Sequence, residues 1–240
     1  ISRFLRYADK YGILITINTF NLMDKFTEGN KMAVEENSKD LISVLWSGAD
    51  ILRSKMDANE YKDYLLGIVF YKYLSDSFLI KVYDMICDDK PETLQDALNT
   101  YIEELKGEDV EELVAEMKRE CHYVIEPELT YTRFADDARN NVFSREQLQK
   151  AFNNIEQSDP LFADLFTDID LYSNRLGTGD QKQSDTVASL IREIDKADLL
   201  NSDSDVLGNA YEYLIGQFAS ETGKKAGEFY TPQAVSKILT

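Results

Sequence analysis

The chain has 240 residues, 43% of them hydrophobic, with only 11 glycines and 4 prolines; this excludes a disordered chain and leaves room for one large domain or two small ones, mainly helical because helix breakers are scarce. Its formal charge of -18, from 44 acidic and 26 basic residues, excludes a surface that grips nucleic-acid phosphates as a whole and suits solubility or contact with a basic partner. Two cysteines, Cys87 and Cys121, cannot build a disulfide framework, so a reducing cytoplasm is the expected compartment, and no apolar stretch reaches the length of a membrane span.

Residues 11–20 are apolar but short, are interrupted by Thr16, Asn18 and Thr19, and precede no small-residue cleavage site. Met32 and the polar residues after it read as a cytoplasmic start, so residues 1–31 are expected to be an appended or upstream-translated leader. Over residues 38–54, Leu41, Val44, Leu45, Ala49 and Leu52 recur at three and four, the face of one helix. Asp57 and Glu60 have the spacing of a capping box that opens a second helix over 61–78. There Tyr64, Leu65, Ile68, Val69, Phe70, Tyr73 and Leu74 cover most of the circumference, which predicts a central core helix. Lys62, Lys72 and Lys81 then read as stems lying over that core.

Two shorter helices are expected near 92–105 and 110–119, after Pro91, with an acid-rich solvated face over 103–120. Residues 123–142 are mixed: Tyr123, Val124, Ile125, Leu129, Tyr131 and Phe134 fit a short strand or an extended loop. Ser144 and Gln147 have capping-box spacing for a helix to about 155, and Asp159-Pro160 turns the chain. Residues 168–183 are polar and irregular, with Gly177 and Gly179. A helix over 185–197 places Val187, Leu190, Ile191 and Ile194 on one face. The last full helix, over 205–218, carries Val206, Leu207, Ala210, Tyr211, Leu214, Ile215 and Phe218, and 219–227 reads as a linker.

The segment with chemistry in it is 227–236. Thr231 suits a helix N-cap and Pro232 the first helical position, so a helix should start there and run through Ala234, Val235 and Ile238. Such an amino end offers free amides and partial positive charge to an anion such as a carboxylate. Gly227 allows a close backbone approach and Tyr230 adds an aromatic face. On spacing alone the same residues serve as a merely capped helix, which is the commoner case. Other constellations carry less. Cys121, His122 and Cys87 give three ligands at unsuitable spacing for structural zinc, and Asp168-Ile-Asp170 lacks the glycine and closing glutamate of a calcium loop. Gly223-Lys-Lys lacks the remainder of a P-loop, and Gly177-Thr-Gly179 is a lone glycine pair.

Two blocks, in this order, resemble the methyltransferase (M) subunit of type I restriction–modification enzymes. The first runs from Leu45-Trp46 and Ala49–Arg53 through Tyr61–Asp76. The second runs from Asp205, Gly208, Tyr211 and Glu212 through Phe218-Ala219 to Gly223 and Gly227–Pro232. The resemblance covers residue 37 onward. It implies a multi-helix N-terminal domain over 32–218, with room for a short strand or hairpin, a linker over 219–227, and the truncated start of an α/β methyltransferase domain over 228–240.

The same resemblance implies S-adenosylmethionine as cofactor, with Glu228, Phe229, Tyr230, Thr231, Pro232 and Gln233 lining its pocket and Thr231 and the following amides meeting its carboxylate. It implies methyl transfer to adenine N6 in DNA. The implied partners are a specificity (S) subunit, a restriction (R) subunit, a second M subunit and double-stranded DNA, with the helical domain helping to clamp the duplex. The Asn/Asp-Pro-Pro-aromatic motif of that catalysis does not occur in these residues, nor does a glycine-rich cofactor loop; by themselves they are expected to hold no catalytic residue, no metal and no activity. The alternative is a stand-alone acidic interaction module, such as a DNA mimic. An ending nine residues into a new helix is expected of the enzyme and not of such a module.

Overall fold

In a computed structural model the described residues are 28–200, with side chains described from residue 41 onward, Asn59 excepted. Seven α-helices follow one another: α1 (Glu28–Arg53), α2 (Ala58–Ile86), α3 (Leu94–Glu104), α4 (Val110–Cys121), α5 (Tyr131–Arg139), α6 (Arg145–Ser158) and α7 (Asp180–Ile194). Short 3-10 turns lie at Pro127–Leu129 and Pro160–Phe162. Among the described residues there is no strand, and no helix is long and apolar enough to cross a membrane.

The wide apolar pattern around residue 68 produces the helix on which the others are hung. Along α2, Tyr61, Leu65, Ile68, Phe70, Tyr71, Phe78, Leu79 and Val82 are all buried, on every side of the helix. It packs against α1, α3, α4, α5 and α7. Glycine sets two of the close approaches. A Cβ on Gly48 of α1 would sit 2.8 Å from Leu65 Cδ2, and one on Gly67 would sit 2.0 Å from Ile169 Cδ1, so bare backbone is what lets these elements touch. Rings fill the rest: Phe152 and Phe166 stack at 4.0 Å between centroids, with Tyr71 edge-on to both.

Several ends form as the residues dictate. Thr93 Oγ accepts the Asp96 amide hydrogen and donates to the Asp96 carboxylate, opening α3. The Asp57 carbonyl accepts from the Glu60 and Tyr61 amides at the start of α2, while the Glu60 carboxylate pairs with Arg175.

Other expectations are corrected. The Ser144 hydroxyl accepts from the Glu146 amide and donates to its carboxylate, one residue short of the Gln147 that spacing pointed to. Residues 123–142 hold no strand: Tyr123 and Ile125 are buried in an irregular stretch, and α5 follows. Thr130 caps α5 by accepting the Arg133 amide hydrogen, and Tyr131, Phe134, Ala135 and Ala138 form a helical stripe that aromatic and β-branched neighbours disguise. α1 begins at Glu28 and α7 at Asp180, both earlier than periodicity implied, because their first turns are polar and carry no stripe. Lys72 does not drape its stem over the core; its ammonium is buried within it, 4% exposed.

Candidate functional site

Glu228, Phe229, Tyr230, Thr231, Pro232 and Gln233, the residues read as a cofactor pocket, lie outside the described residues, as do the 205–218 helix, the linker and Gly223-Lys-Lys. What the described residues place together are two polar arrangements and the path the chain takes toward them.

The first arrangement is a polar seam through the core. Lys72 Nζ meets Asp76 Oδ2 at 2.6 Å one turn along α2, with both side chains almost wholly buried. Asp76 Oδ1 accepts no hydrogen bond. The ammonium lies 5.0 Å from the centroid of the Tyr131 ring. Ser75 Oγ accepts the Tyr131 amide hydrogen at 2.7 Å, and Tyr131 OH donates to the Ile191 carbonyl at 2.9 Å. The seam therefore ties α2 to α5 and α5 to the last turn of α7. Burial raises the Asp76 carboxyl from its ordinary value to about 6; Lys72 opposes the rise, and Asp195 and Asp198 add to it. Arg139 and Arg192 bind α5 to the same end of α7: Arg139 Nη1 pairs with Asp195 at 2.6 Å, and Arg192 Nη1 donates to the Ala138 carbonyl at 2.7 Å. Past α7, Ala197 and Leu199 are again buried, so the chain is anchored in the core up to residue 199.

The second arrangement stands where α6 and α7 begin. Arg145 is 4% exposed, Nη2 meeting Asp180 at 2.6 Å and Nε meeting Glu146 at 3.2 Å, while Nη1 has no hydrogen-bond partner. Its guanidinium lies 4.5 Å from the centroid of the Tyr172 ring. The Ser144 hydroxyl, foremost among its contacts, holds Glu146 below its usual carboxylate range, so Glu146 is ionised.

The weaker constellations stay structural. His122 closes α4 in the left-handed conformation, φ 66°. Cys121 is buried, which raises its thiol. Asp170 accepts the Tyr172 amide hydrogen at 2.9 Å, an Asx turn in place of a calcium ligand. Among the described residues no three His, Cys, Asp or Glu side chains are grouped to hold a metal. Sequence reading missed both arrangements. A Lys–Asp pair four apart looks like any surface pair on a helix, and only the fold brings Arg145 to Tyr172.

Residues 41–194, well over half of the chain, match the family model described as HsdM N-terminal domain. The chain belongs to the HsdM N-terminal domain family. Residues 202–240 match a second family, N-6 DNA Methylase. The methylase subunit of type I restriction enzyme MpnII from Mycoplasma pneumoniae is 27% identical over 209 residues, 81% of this chain and 38% of that protein. The methylase subunit of type I restriction enzyme MjaVIII from Methanocaldococcus jannaschii is 31% identical over 210 residues, 86% of this chain and 32% of its own length. A crystal structure of a type I restriction–modification methyltransferase subunit from Streptococcus thermophilus superposes with a TM-score of 0.78 at 50% identity, covering 84% of this chain and 43% of that one. The HsdM-type chain thus spans about a third of the curated relatives it matches, and the helical bundle is the fold of that family's amino-terminal region.

Proposed function

We propose that these residues are the amino-terminal part of a type I restriction–modification methyltransferase subunit, which in full transfers a methyl group from S-adenosylmethionine to adenine N6 in DNA. The observation that carries the reading is the order of the two families in one chain: the HsdM N-terminal domain match stops at residue 194 and the N-6 DNA Methylase match starts at 202. Between them the core-anchored Leu199 leads one into the other. The helical domain serves as scaffold. It positions the methylase domain and helps the assembled complex enclose double-stranded DNA, working in the cytoplasm with S and R subunits and a second M subunit.

In this reading Thr231 and the amides after Pro232 receive the carboxylate of S-adenosylmethionine, Tyr230 packs beside it, and Glu228, Phe229 and Gln233 complete that wall of the pocket. A helix amino end meets a carboxylate with both free donors and favourable dipole. The described domain supplies no reacting group, and residues 1–240 alone are expected to leave adenine unmethylated.

Thr231→Val in the complete subunit should weaken S-adenosylmethionine binding about tenfold by titration calorimetry, as loss of one charge-assisted cap contact of about 1–2 kcal/mol would give; unchanged affinity counts against the pocket. Tritium transfer from S-adenosylmethionine to adenine N6, measured with the S subunit present, tests the activity itself. Absence of transfer refutes it.

A further inference from the structure

Two large hydrophobic side chains stand out as exposed among the described residues, Val142 at 65% and Tyr172 at 47%, and the fold brings both to Arg145. Val142 lies three residues before Arg145, in the turn that leads into α6, which keeps their Cα atoms within about 10 Å. Tyr172 rests one ring face on the Arg145 guanidinium. Single exposed apolar residues are ordinary; two that flank a buried arginine and are held rigid are not.

Both are fixed from behind. Gln183 Nε2 donates to the Tyr172 carbonyl at 2.9 Å and to the Ser173 carbonyl at 3.1 Å, and Asp170 holds the Tyr172 amide. The Val142 amide donates to the Asp137 carbonyl at 2.9 Å, after Asn141 in the left-handed conformation. The outer face of Tyr172 is thus presented with little freedom left to lose, a preorganised aromatic anchor of the kind that dominates protein interfaces.

The charge around the stack selects the occupant. Glu146 and Asp180 hydrogen-bond Arg145 and are themselves exposed, their side chains 53% and 87% open, and Asp170 sits against the Tyr172 amide. One arginine faces three carboxylates, and Lys182, two residues into α7, leaves the balance negative. A phosphate backbone would be repelled here. A second copy of this chain, at -18 overall, would bring more acid to an acidic rim.

We propose that the Tyr172–Arg145 stack with Val142 is a docking point for a protein partner that presents an arginine or lysine next to an apolar side chain. The partner's cation lies over the open face of Tyr172 and pairs with Glu146 or Asp180, while its apolar neighbour covers Val142.

This rests on the reading of the chain as an M subunit, since the test uses that subunit's companions. The complete subunit is prepared as wild type, as Val142→Ser/Tyr172→Ser and as Tyr172→Phe, all at exposed positions that leave the core intact. Binding is measured to purified S subunit, to purified R subunit, to duplex DNA and to itself, at low and high salt. Assembly with S or R should weaken at least tenfold in the double variant, hold in Tyr172→Phe, and fall with salt in the wild type, while DNA affinity is unchanged. Equal assembly of wild type and double variant overturns the inference, as does a wild type that joins neither companion. A loss confined to DNA binding overturns it too, making this a nucleic-acid face, and a loss confined to self-association makes it a contact between copies. Methyl transfer is a separate readout: its absence with assembly that depends on Tyr172 refutes the proposed activity and leaves the docking point standing.

Discussion

Lys72 and Asp76 occupy a position where water cannot solvate either charge, so each depends on the other. Desolvating a pair costs several kcal/mol per ion, repaid only when the geometry is good and the remaining lone pairs are satisfied. Here Asp76 Oδ1 is left without a donor, so the repayment is incomplete, and the carboxyl shows it by rising to about 6. Lys72→Met should therefore destabilise the domain by about 2–4 kcal/mol at pH 8, because a buried carboxylate is left alone. The loss should shrink at pH 5, where Asp76 takes up a proton and its charge disappears. Adding Asp76→Leu to Lys72→Met should recover most of the stability. Urea unfolding midpoints at the two pH values measure all three; a loss of equal size at both would mean that Asp76 carries no uncompensated charge.

At the scale of elements, tyrosine hydroxyls do what backbone pairing cannot in an all-helical domain. Irregular segments between helices carry buried carbonyls that need donors. Tyr71 OH reaches the Leu129 carbonyl at 2.7 Å, Tyr101 OH the Ile125 carbonyl at 3.1 Å, and Tyr64 OH the Asp170 carbonyl at 2.6 Å. In the reverse direction Tyr123 OH, from the loop, donates to the Leu74 carbonyl of α2 at 3.0 Å. The loops are thereby stapled to the helices they cross. Tyr71→Phe keeps the ring and removes only the donor, leaving a buried carbonyl unpaired, so it should cost about 1–2 kcal/mol. Tyr172→Phe, exposed and donating to nothing inside the domain, should cost almost nothing. Thermal denaturation of the two variants side by side makes the comparison, and equal losses would remove the staple argument.

How far these elements could be read from sequence follows from the same physics. The central place of α2 was legible because a residue run that is apolar on all sides can only be buried. The polar first turns of α1 and α7 were not, since periodicity marks the face that meets the core and says nothing of a turn that extends past it. α5 was hidden because Tyr131 and Phe134 read equally as strand or helix, and only the Thr130 cap decides between them. The family was legible from two blocks far apart in the chain, whereas the Arg145–Tyr172 stack was not, being made by the packing of α6 and α7 against a loop between them. The linker was expected at 219–227, while the N-6 DNA Methylase match already begins at 202, and the cofactor residues 228–233 lie beyond the described ones.

Over the whole molecule the balance of -18 and the buried carboxyls act in one direction. Self-repulsion of like charge works against a compact chain and eases as carboxylates are protonated. Asp63, half-buried beside Lys62 and Asp168, is raised by burial to about 6, as Asp76 is. A carboxyl whose pKa is higher folded than unfolded binds more protons in the folded state, so its contribution to stability is fullest below its ordinary value near 4 and is lost as pH rises toward 6. Glu126 and Glu146, lowered by Lys150 and Ser144 respectively, work oppositely, and lose their contribution only as pH falls below about 4. The melting temperature of the domain should thus rise between pH 7.5 and pH 5.5 and fall again under stronger acid. Asp63→Asn should flatten the rise and stabilise the protein at pH 7.5 by about 1 kcal/mol, less than the full linkage value because a half-buried carboxyl is screened by water. Calorimetric scans of wild type and Asp63→Asn across that range decide it. A wild-type midpoint that falls steadily from pH 7.5 to 5.5 would show that paired carboxylates, not buried ones, govern this acidic domain.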